Sequence, residues 1–161
     1  MRDELRQQVQ RRYSFRCGYC GVRETDACSK LTVDHFQPRA QGGDDSLDNL
    51  VYCCHACNEF KGDYWQTEAN KRLLHPISDD QTEHIQEQTD GTLNALTERS
   101  ANHIQVLHLN RVELIEGRFE RQGIATIKAY CQTLEARVLA LEETFRTDQA
   151  EISKKFGIPD Q

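Results

Sequence analysis

The chain lacks any long hydrophobic segment. Hydrophobic residues make up 37% and charged residues 29% of its 161 residues, and no run reaches the roughly 18 apolar residues that a transmembrane helix needs. The first residues, MRDELRQQVQRR, also lack the apolar stretch of a secretory signal peptide. We therefore expect a cytoplasmic protein with no membrane partner. The length excludes three domains and leaves room for one domain, or for a small domain with an extension.

Cysteine, by contrast, is abundant, and an odd total of seven cannot be fully paired. Without a secretory signal, this number argues against a disulfide framework and in favour of metal binding. Four of the cysteines form two C-x-x-C pairs: Cys17 with Cys20, and Cys54 with Cys57. Four thiolates complete a closed, tetrahedral site, so the sequence predicts one structural Zn²⁺ at these pairs. Cys53 competes as the third ligand, but Cys54 gives the C-x-x-C spacing. Cys28, Cys53 and Cys131 have no predicted role.

The formal net charge of -6 is unevenly distributed along the chain. Residues 1–23 contain six arginines and two acidic residues, whereas residues 63–161 contain 11 basic and 17 acidic residues. A basic N-terminal arm that includes Arg11, Arg12 and Arg16 can bind phosphate through its positive charge. DNA is therefore a candidate partner despite the acidic total.

Residues 1–65 are predicted to form a strand, a loop, a strand and a helix, preceded by one short helix. Apolar spacing indicates a helix at 2–13, strands at 31–33 and 50–52, and a helix at about 55–64. The first C-x-x-C pair follows the first helix, and the second pair opens the last one. The cysteine pairs therefore precede and follow the strand pair in the sequence.

The first predicted strand ends beside an acid and a histidine. Neighbouring side chains of a regular strand point to opposite faces, so Asp34 and His35 can share one cleft only if the chain leaves the strand at this pair. Pro38 and the paired glycines after it supply a loop there. The sequence thus predicts one cleft that contains both side chains.

Residues 66–161 are predicted to form a hairpin followed by a mainly α-helical extension. Asp90-Gly91 lies between two weakly alternating runs, a pattern typical of a β-hairpin. Apolar residues near 101–107 indicate a short helix. The acidic surplus of this part argues against wrapping of DNA, so we expect it to act as a stabilising shell or a partner surface.

A narrow apolar seam marks the end of the chain. Its residues alternate in steps of three and four: Ile124, Ile127, Cys131, Leu134, Val138, Leu141 and Phe145. The seam favours packing of a long helix within the chain, with a homodimer or a partner helix as the alternative. Gly117 and Gly123 interrupt the helical pattern before it. They predict a bend or a break near Gly123.

Three polar residues follow one another between and after the cysteine pairs. His35 is followed by 13 residues, Asn49, eight residues and Asn58. This spacing, in VDHFQPRAQGGDDSLDNLVYCCHACNEFKG, resembles the HNH endonuclease family, in the subgroup with four zinc cysteines. The resemblance covers about residues 12–63. It implies an α+β chain with a ββα-metal core and structural zinc, and a metal-dependent endonuclease that hydrolyses phosphodiester bonds in DNA.

The resemblance also implies a role for each residue of the motif. His35 would be the general base, Asn49 would hold the loop that orients it, and Asp34 and Asn58 would bind a catalytic cation. Histidine titrates near neutrality and can take a proton from water. Carboxylate and amide oxygens suit Mg²⁺ or Mn²⁺. Asn58 stands where the family's name letter is histidine, and an amide oxygen at that position favours these two metals.

Two other functions remain open at this point. One is a non-catalytic zinc module that binds nucleic acid or a partner protein; the other is a nuclease subunit that acts only inside a larger defence or recombination assembly. The complete motif favours an enzyme, because a binding module does not need it. For Arg39 and Lys61, a phosphate contact and a solvated surface charge are equally good interpretations.

Overall fold

The computed structural model describes residues 3–27 and 29–157. Cys28, for which no role is predicted, and residue 2 of the first predicted helix lie outside the described residues. The chain divides into two compact units, Met1–Arg118 and Phe119–Gln161. In the part that the structure describes, no helix is long and apolar enough to cross a membrane.

The first unit begins with helix α1, Asp3–Arg12, which confirms the predicted N-terminal helix. Acidic residues in its first turn and arginines in its last turn complement the helix dipole. Val9 and Tyr13 are buried in the core of the unit. Arg11 and Arg12 lie outside the apolar face that packs inward, whereas Arg6 is partly buried and donates to the backbone carbonyl of Leu31.

Two antiparallel strands, β1 (Thr32–His35) and β2 (Leu50–Cys53), form the centre of this unit. Every residue of β2 is buried. The predicted range 31–33 for β1 is wrong, because Asp34 pairs with Val51 and His35 with Leu50 in the ladder. Pairing with a buried partner strand thus extends β1 through the acid and the histidine, and the chain leaves the strand only after them.

Helix α2, His55–Lys61, follows β2 directly and completes a ββα unit. Cys54 is its N-cap, and its sulfur accepts a hydrogen bond from the backbone N–H of Cys57. The helix ends earlier than the predicted residue 64. Gly62 adopts a φ of 48° and its N–H closes on the carbonyl of Asn58, which stops the helix.

The rest of the first unit contains four short elements: α3 (Gln81–His84), β3 (Ile85–Glu87), β4 (Leu93–Ala95) and α4 (Glu98–Val106). Strands β3 and β4 pair antiparallel, which confirms the predicted hairpin. Gly91 in its turn has a φ of 84°, which glycine adopts readily. Leu107 and Leu109, after α4, belong to the same buried cluster as Val9 and Leu50. Residues beyond 65 therefore contribute to one core with the ββα unit.

The last helix, α5, spans Val112–Phe156. It continues through Gly117 and Gly123, so the predicted break is wrong; one glycine costs a helix only about 1 kcal/mol, and a long helical run, residues 124–156, follows both positions. The expected burial of the seam within the chain is also wrong. Ile127 is 64% exposed and Leu141 is 68% exposed.

Candidate nuclease site

The four cysteines of the two C-x-x-C pairs come together. Their sulfur atoms all lie within 4.8 Å of one another, and the sulfurs of Cys20 and Cys54 are 3.7 Å apart. A tetrahedral zinc with Zn–S bonds near 2.3 Å requires S–S separations of about 3.8 Å. The thiol cluster therefore fits structural zinc, and the predicted ligand set is the one that the fold assembles.

Local backbone geometry explains why each pair converges. In the first pair, the N–H of Cys20 donates to the sulfur of Cys17 at 3.4 Å, and Gly21 turns the chain with a φ of 76°. The second pair repeats the N–H to sulfur contact at the start of α2, also at 3.4 Å. Cys53 is not part of this cluster: its thiol lies 3.9 Å from Oδ1 of Asn58, and burial raises its pKa well above the usual value.

Arg111 lies beside the thiol cluster, and the sequence analysis missed it. Its Nη2 is 3.7 Å from the sulfur of Cys57 and 4.0 Å from that of Cys54, and its guanidinium lies over the ring of Phe60 at 5.5 Å. A cation at this position offsets the negative charge of four thiolates. Arg111 is 54 positions from Cys57, so motif spacing has no means of identifying it.

Asp34 occupies the buried side of β1. The Tyr19 hydroxyl donates to its Oδ2 at 2.6 Å, and Lys61 Nζ lies 3.0 Å from Oδ2 and 3.2 Å from Oδ1. Burial raises the pKa of Asp34, whereas Lys61 and the Tyr19 hydrogen bond act to lower it. Lys61 is itself only 2% exposed. Both interpretations offered for Lys61 from the sequence are therefore wrong, since it is a buried partner of Asp34.

His35 lies on the opposite face of β1 and has different neighbours. Its Nε2 is 2.7 Å from Oδ1 of Asp45 and 3.2 Å from Nε of Arg39, and Arg39 also pairs with Asp45. Nε2 can donate to the carboxylate or accept from the guanidinium, depending on its protonation. The prediction that Asp34 and His35 reach one cleft because the strand ends there is wrong. The strand continues through both, and Lys61 joins them by donating to the backbone carbonyl of His35 at 2.9 Å.

Asn49 closes the loop between β1 and β2. Its Oδ1 accepts from the N–H of Gln37 at 2.8 Å, and its Nδ2 donates to the carbonyls of Gln37 and Asp44 at 3.1 and 2.9 Å. The loop also packs too tightly for a side chain at Gly43, where a Cβ would lie 1.8 Å from the Gln37 oxygen. These contacts fix the segment that contains Arg39 and Asp45, the two neighbours of His35.

Asn58 lies on α2, one turn before Lys61. Residues three apart share a face of a helix, so Asn58 lies on the face from which Lys61 reaches Asp34. The side chain of Asn58 is partly exposed. A carboxylate and an amide on the same side of the ββα unit form a donor set that suits a hard divalent cation.

Comparisons with known proteins agree with this geometry. Residues 17–63 match the family model described as HNH endonuclease. The CRISPR-associated endonuclease Cas9 of Corynebacterium diphtheriae is 43% identical over 61 residues, which are 37% of this chain and 5% of that protein. The chain thus spans a small fraction of this relative's length. No solved structure matches the chain. The resemblance predicted from the motif is confirmed for the segment that forms the ββα unit.

Proposed function

We propose that this protein, which carries an HNH endonuclease domain at residues 17–63, is a metal-dependent endonuclease of the cytoplasm that hydrolyses phosphodiester bonds in DNA. One observation carries the proposal: Lys61 of α2 contacts both the Asp34 carboxylate and the backbone carbonyl of His35, so the ββα unit brings the acid, the histidine and α2 together. An acid for a cation and a base for water are the two groups that phosphodiester hydrolysis needs. A module that only binds DNA needs neither.

His35 is the general base in this proposal. Its side chain is partly exposed, so water and a phosphodiester can reach it. Attack of the water oxygen on phosphorus breaks one P–O bond, and the imidazole takes the proton that the water loses. The Asp45 carboxylate stabilises the imidazolium that results, and Arg39 orients the carboxylate. Resemblance to the family implies 3'-hydroxyl and 5'-phosphate ends.

Asp34 and Asn58 would hold the catalytic Mg²⁺ or Mn²⁺. Such a cation supplies a Lewis acid that stabilises charge on the phosphoryl and leaving oxygens. Lys61 holds the Asp34 carboxylate in place through contacts to both of its oxygens. Asn49 has a positioning role in this proposal. It fixes the loop around His35 and does not act on the reacting atoms.

Structural Zn²⁺ at the four cysteines would connect the loop at residues 17–20 with the start of α2. This connection fixes Asn58, which follows Cys57 directly. A metal with a closed shell of four thiolates has no open position for water. The two metals therefore have separate tasks, one in the fold and one in the chemistry.

The contact with DNA is assigned to the N-terminal arginines. Arg11 is exposed on α1, and Arg16 follows it in the loop before the first cysteine. Arg12 pairs with Asp48 at 2.7 Å in an exposed ion pair, which phosphate can replace at low cost. We infer a backbone contact without base recognition from these residues.

A second candidate is a nuclease that acts only within a larger assembly. The similarity to 5% of a much longer CRISPR-associated endonuclease favours it, because in that protein the matched segment is one part of a large chain. This candidate uses the same residues for the same reaction. It differs only in predicting that the isolated chain is inactive until a partner is added.

Incubation with supercoiled plasmid tests the proposed function. We expect the parent to nick the plasmid with Mg²⁺ or Mn²⁺ and to be inactive without added divalent cation. His35→Ala should lose activity by a factor of about 10² to 10⁴. His55→Ala is the matched control, since His55 is an exposed histidine of α2, and should nick like the parent. Metal-independent nicking, or equal nicking by His35→Ala, would reject the proposal.

A further inference from the structure

The part of α5 beyond residue 118 has an apolar stripe that the chain leaves exposed. The seam residues between Ile124 and Phe145 recur in steps of three and four, and Val138 and Phe145 are 53% and 62% exposed. A helix with this spacing buries its seam against another helix when one is available. The seam is therefore an exposed apolar surface with the spacing of a coiled coil, and the helix that covers it has to be identified.

The charges beside the seam identify the partner. Four charged residues follow the d positions, each seven residues after the one before: Arg121, Lys128, Glu135 and Glu142. The first two are basic and the last two are acidic. When the second helix runs in the opposite direction, the basic half of this row on one helix faces the acidic half of the row on the other. From it we infer that a second copy of this chain covers the seam, as an antiparallel coiled coil of two α5 helices.

One register pairs six of the seven seam residues with one another and also pairs the charged residues beside them. When Cys131 lies opposite Leu134 of the second copy, Ile124 lies opposite Leu141 and Ile127 opposite Val138. In the same register, Lys128 lies opposite Glu135 and Arg121 opposite Glu142, and the two-fold symmetry of the dimer repeats each pair along the same flank. Tyr130 then lies opposite Arg137, an arrangement that permits a cation–π contact. Every charged position next to the seam between residues 121 and 142 thus has an opposite charge or an aromatic ring facing it.

Neighbouring registers are penalised by the same charges. A shift by one heptad in either direction places Lys128 opposite its own copy, or Glu135 opposite its own copy, and like charges at these positions repel. A parallel pair is also poorer. There Lys128 faces Gly123 and Glu135 faces Tyr130, so neither of these two central charges has an opposite charge facing it, and the ion pairs that remain are Arg137 with Glu142 and Arg121 with Glu116. The charge row therefore specifies both the direction and the register.

Charge reversal on the full chain tests this inference through the dimer dissociation constant, measured by analytical ultracentrifugation over a concentration series. The parent should form a species of twice the 18.6 kDa chain mass. Lys128→Glu and Glu135→Lys should each raise the dissociation constant roughly tenfold, and the double variant should restore it. The two residues are seven apart on one helix and do not contact each other within it. A double variant that shows only the sum of the single effects would overturn the antiparallel register.

A matched pair of leucines separates the seam from general surface effects. Leu141 and Leu139 are 68% and 65% exposed, but only Leu141 lies on the seam. Leu141→Ala should weaken the dimer and Leu139→Ala should not, with helix content by circular dichroism unchanged in both. Two outcomes would overturn the inference: a monomeric parent at all concentrations, and equal effects of the two leucine variants.

Discussion

The two faces of β1 place neighbouring residues in opposite environments. The buried face carries Asp34, which is enclosed by Tyr19 and Lys61. The exposed face carries His35, whose neighbours Arg39 and Asp45 belong to a solvent-accessible loop. A change on the buried face removes contacts that support the fold. A change on the exposed face should affect the reaction alone.

The largest expected effect concerns the thiol cluster. Cys57→Ser should remove one zinc ligand from the centre of the first unit, and structure and activity should be lost together, because metal binding supplies much of the folding free energy of such sites. Circular dichroism melting and elemental analysis measure this, with one zinc per chain expected in the parent. Cys131→Ser is the control, since Cys131 is exposed and outside the cluster. A Cys57→Ser protein with the parent's melting temperature would contradict the claim that the thiol cluster stabilises the first unit.

Substitution of Lys61 tests whether its ion pair with Asp34 stabilises the buried face of β1. Lys61→Met should destabilise the first unit by about 3–5 kcal/mol, because the Asp34 carboxylate is left buried without a cation. Asp34→Asn added to this variant should recover part of the loss. Urea unfolding of both variants gives the free energies. Lys71→Met, which breaks the exposed pair with Glu68, is the control and should change little; equal effects at Lys61 and Lys71 would contradict a buried ion pair.

Asn58 belongs to both comparisons, because it directly follows Cys57 of the thiol cluster and lies on the helix face from which Lys61 reaches Asp34. Asn58→Ala should keep the parent's melting temperature and zinc content, while the Mg²⁺ concentration for half-maximal nicking should rise by at least roughly tenfold. Loss of even an indirect metal partner costs a factor of about 10 to 100 in affinity. Asn94→Ala, an exposed asparagine of the hairpin, is the control. An unchanged Mg²⁺ requirement would assign the cation to other residues.

The smallest effect is expected at the N-terminal arginines. Replacement of Arg11, Arg12 and Arg16 by alanine should reduce the slope of log affinity for DNA against log salt by about 2 to 3, since each phosphate contact contributes about 0.9. The melting temperature should stay close to that of the parent. Fluorescence anisotropy with a labelled duplex at several salt concentrations measures the slope. An unchanged slope would locate the phosphate contact elsewhere on the chain.

The residues that could be predicted from the sequence are those whose geometry depends on nearby positions. Each C-x-x-C turn is closed by its own N–H to sulfur contact, and the hairpin at Asp90-Gly91 depends on its own turn residues. The same is true of Asn49, whose side-chain hydrogen bonds all reach residues within 12 positions. Local spacing in the sequence was therefore sufficient to predict the thiol cluster, the hairpin and the motif.

The features that could not be predicted depend on distant partners. Lys61 is buried because Asp34, 27 positions earlier, lies against its helix, and β1 continues through His35 because β2 pairs with it. Arg111 reaches the cysteines from outside the motif altogether. The seam was expected to pack within the chain, yet it is exposed. Apolar spacing defines a face that favours burial, and it does not say which chain covers that face.

The melting temperature of His35→Ala, taken on the same preparation whose plasmid nicking and DNA affinity are measured, tests the separation of fold and chemistry most directly. The His35 ring hydrogen-bonds to loop side chains, so its removal should leave the melting temperature, the zinc content and the DNA affinity close to the parent's values. Nicking should fall by a factor of about 10² to 10⁴. A melting temperature that falls together with the activity, or nicking at the parent's rate, would contradict the account.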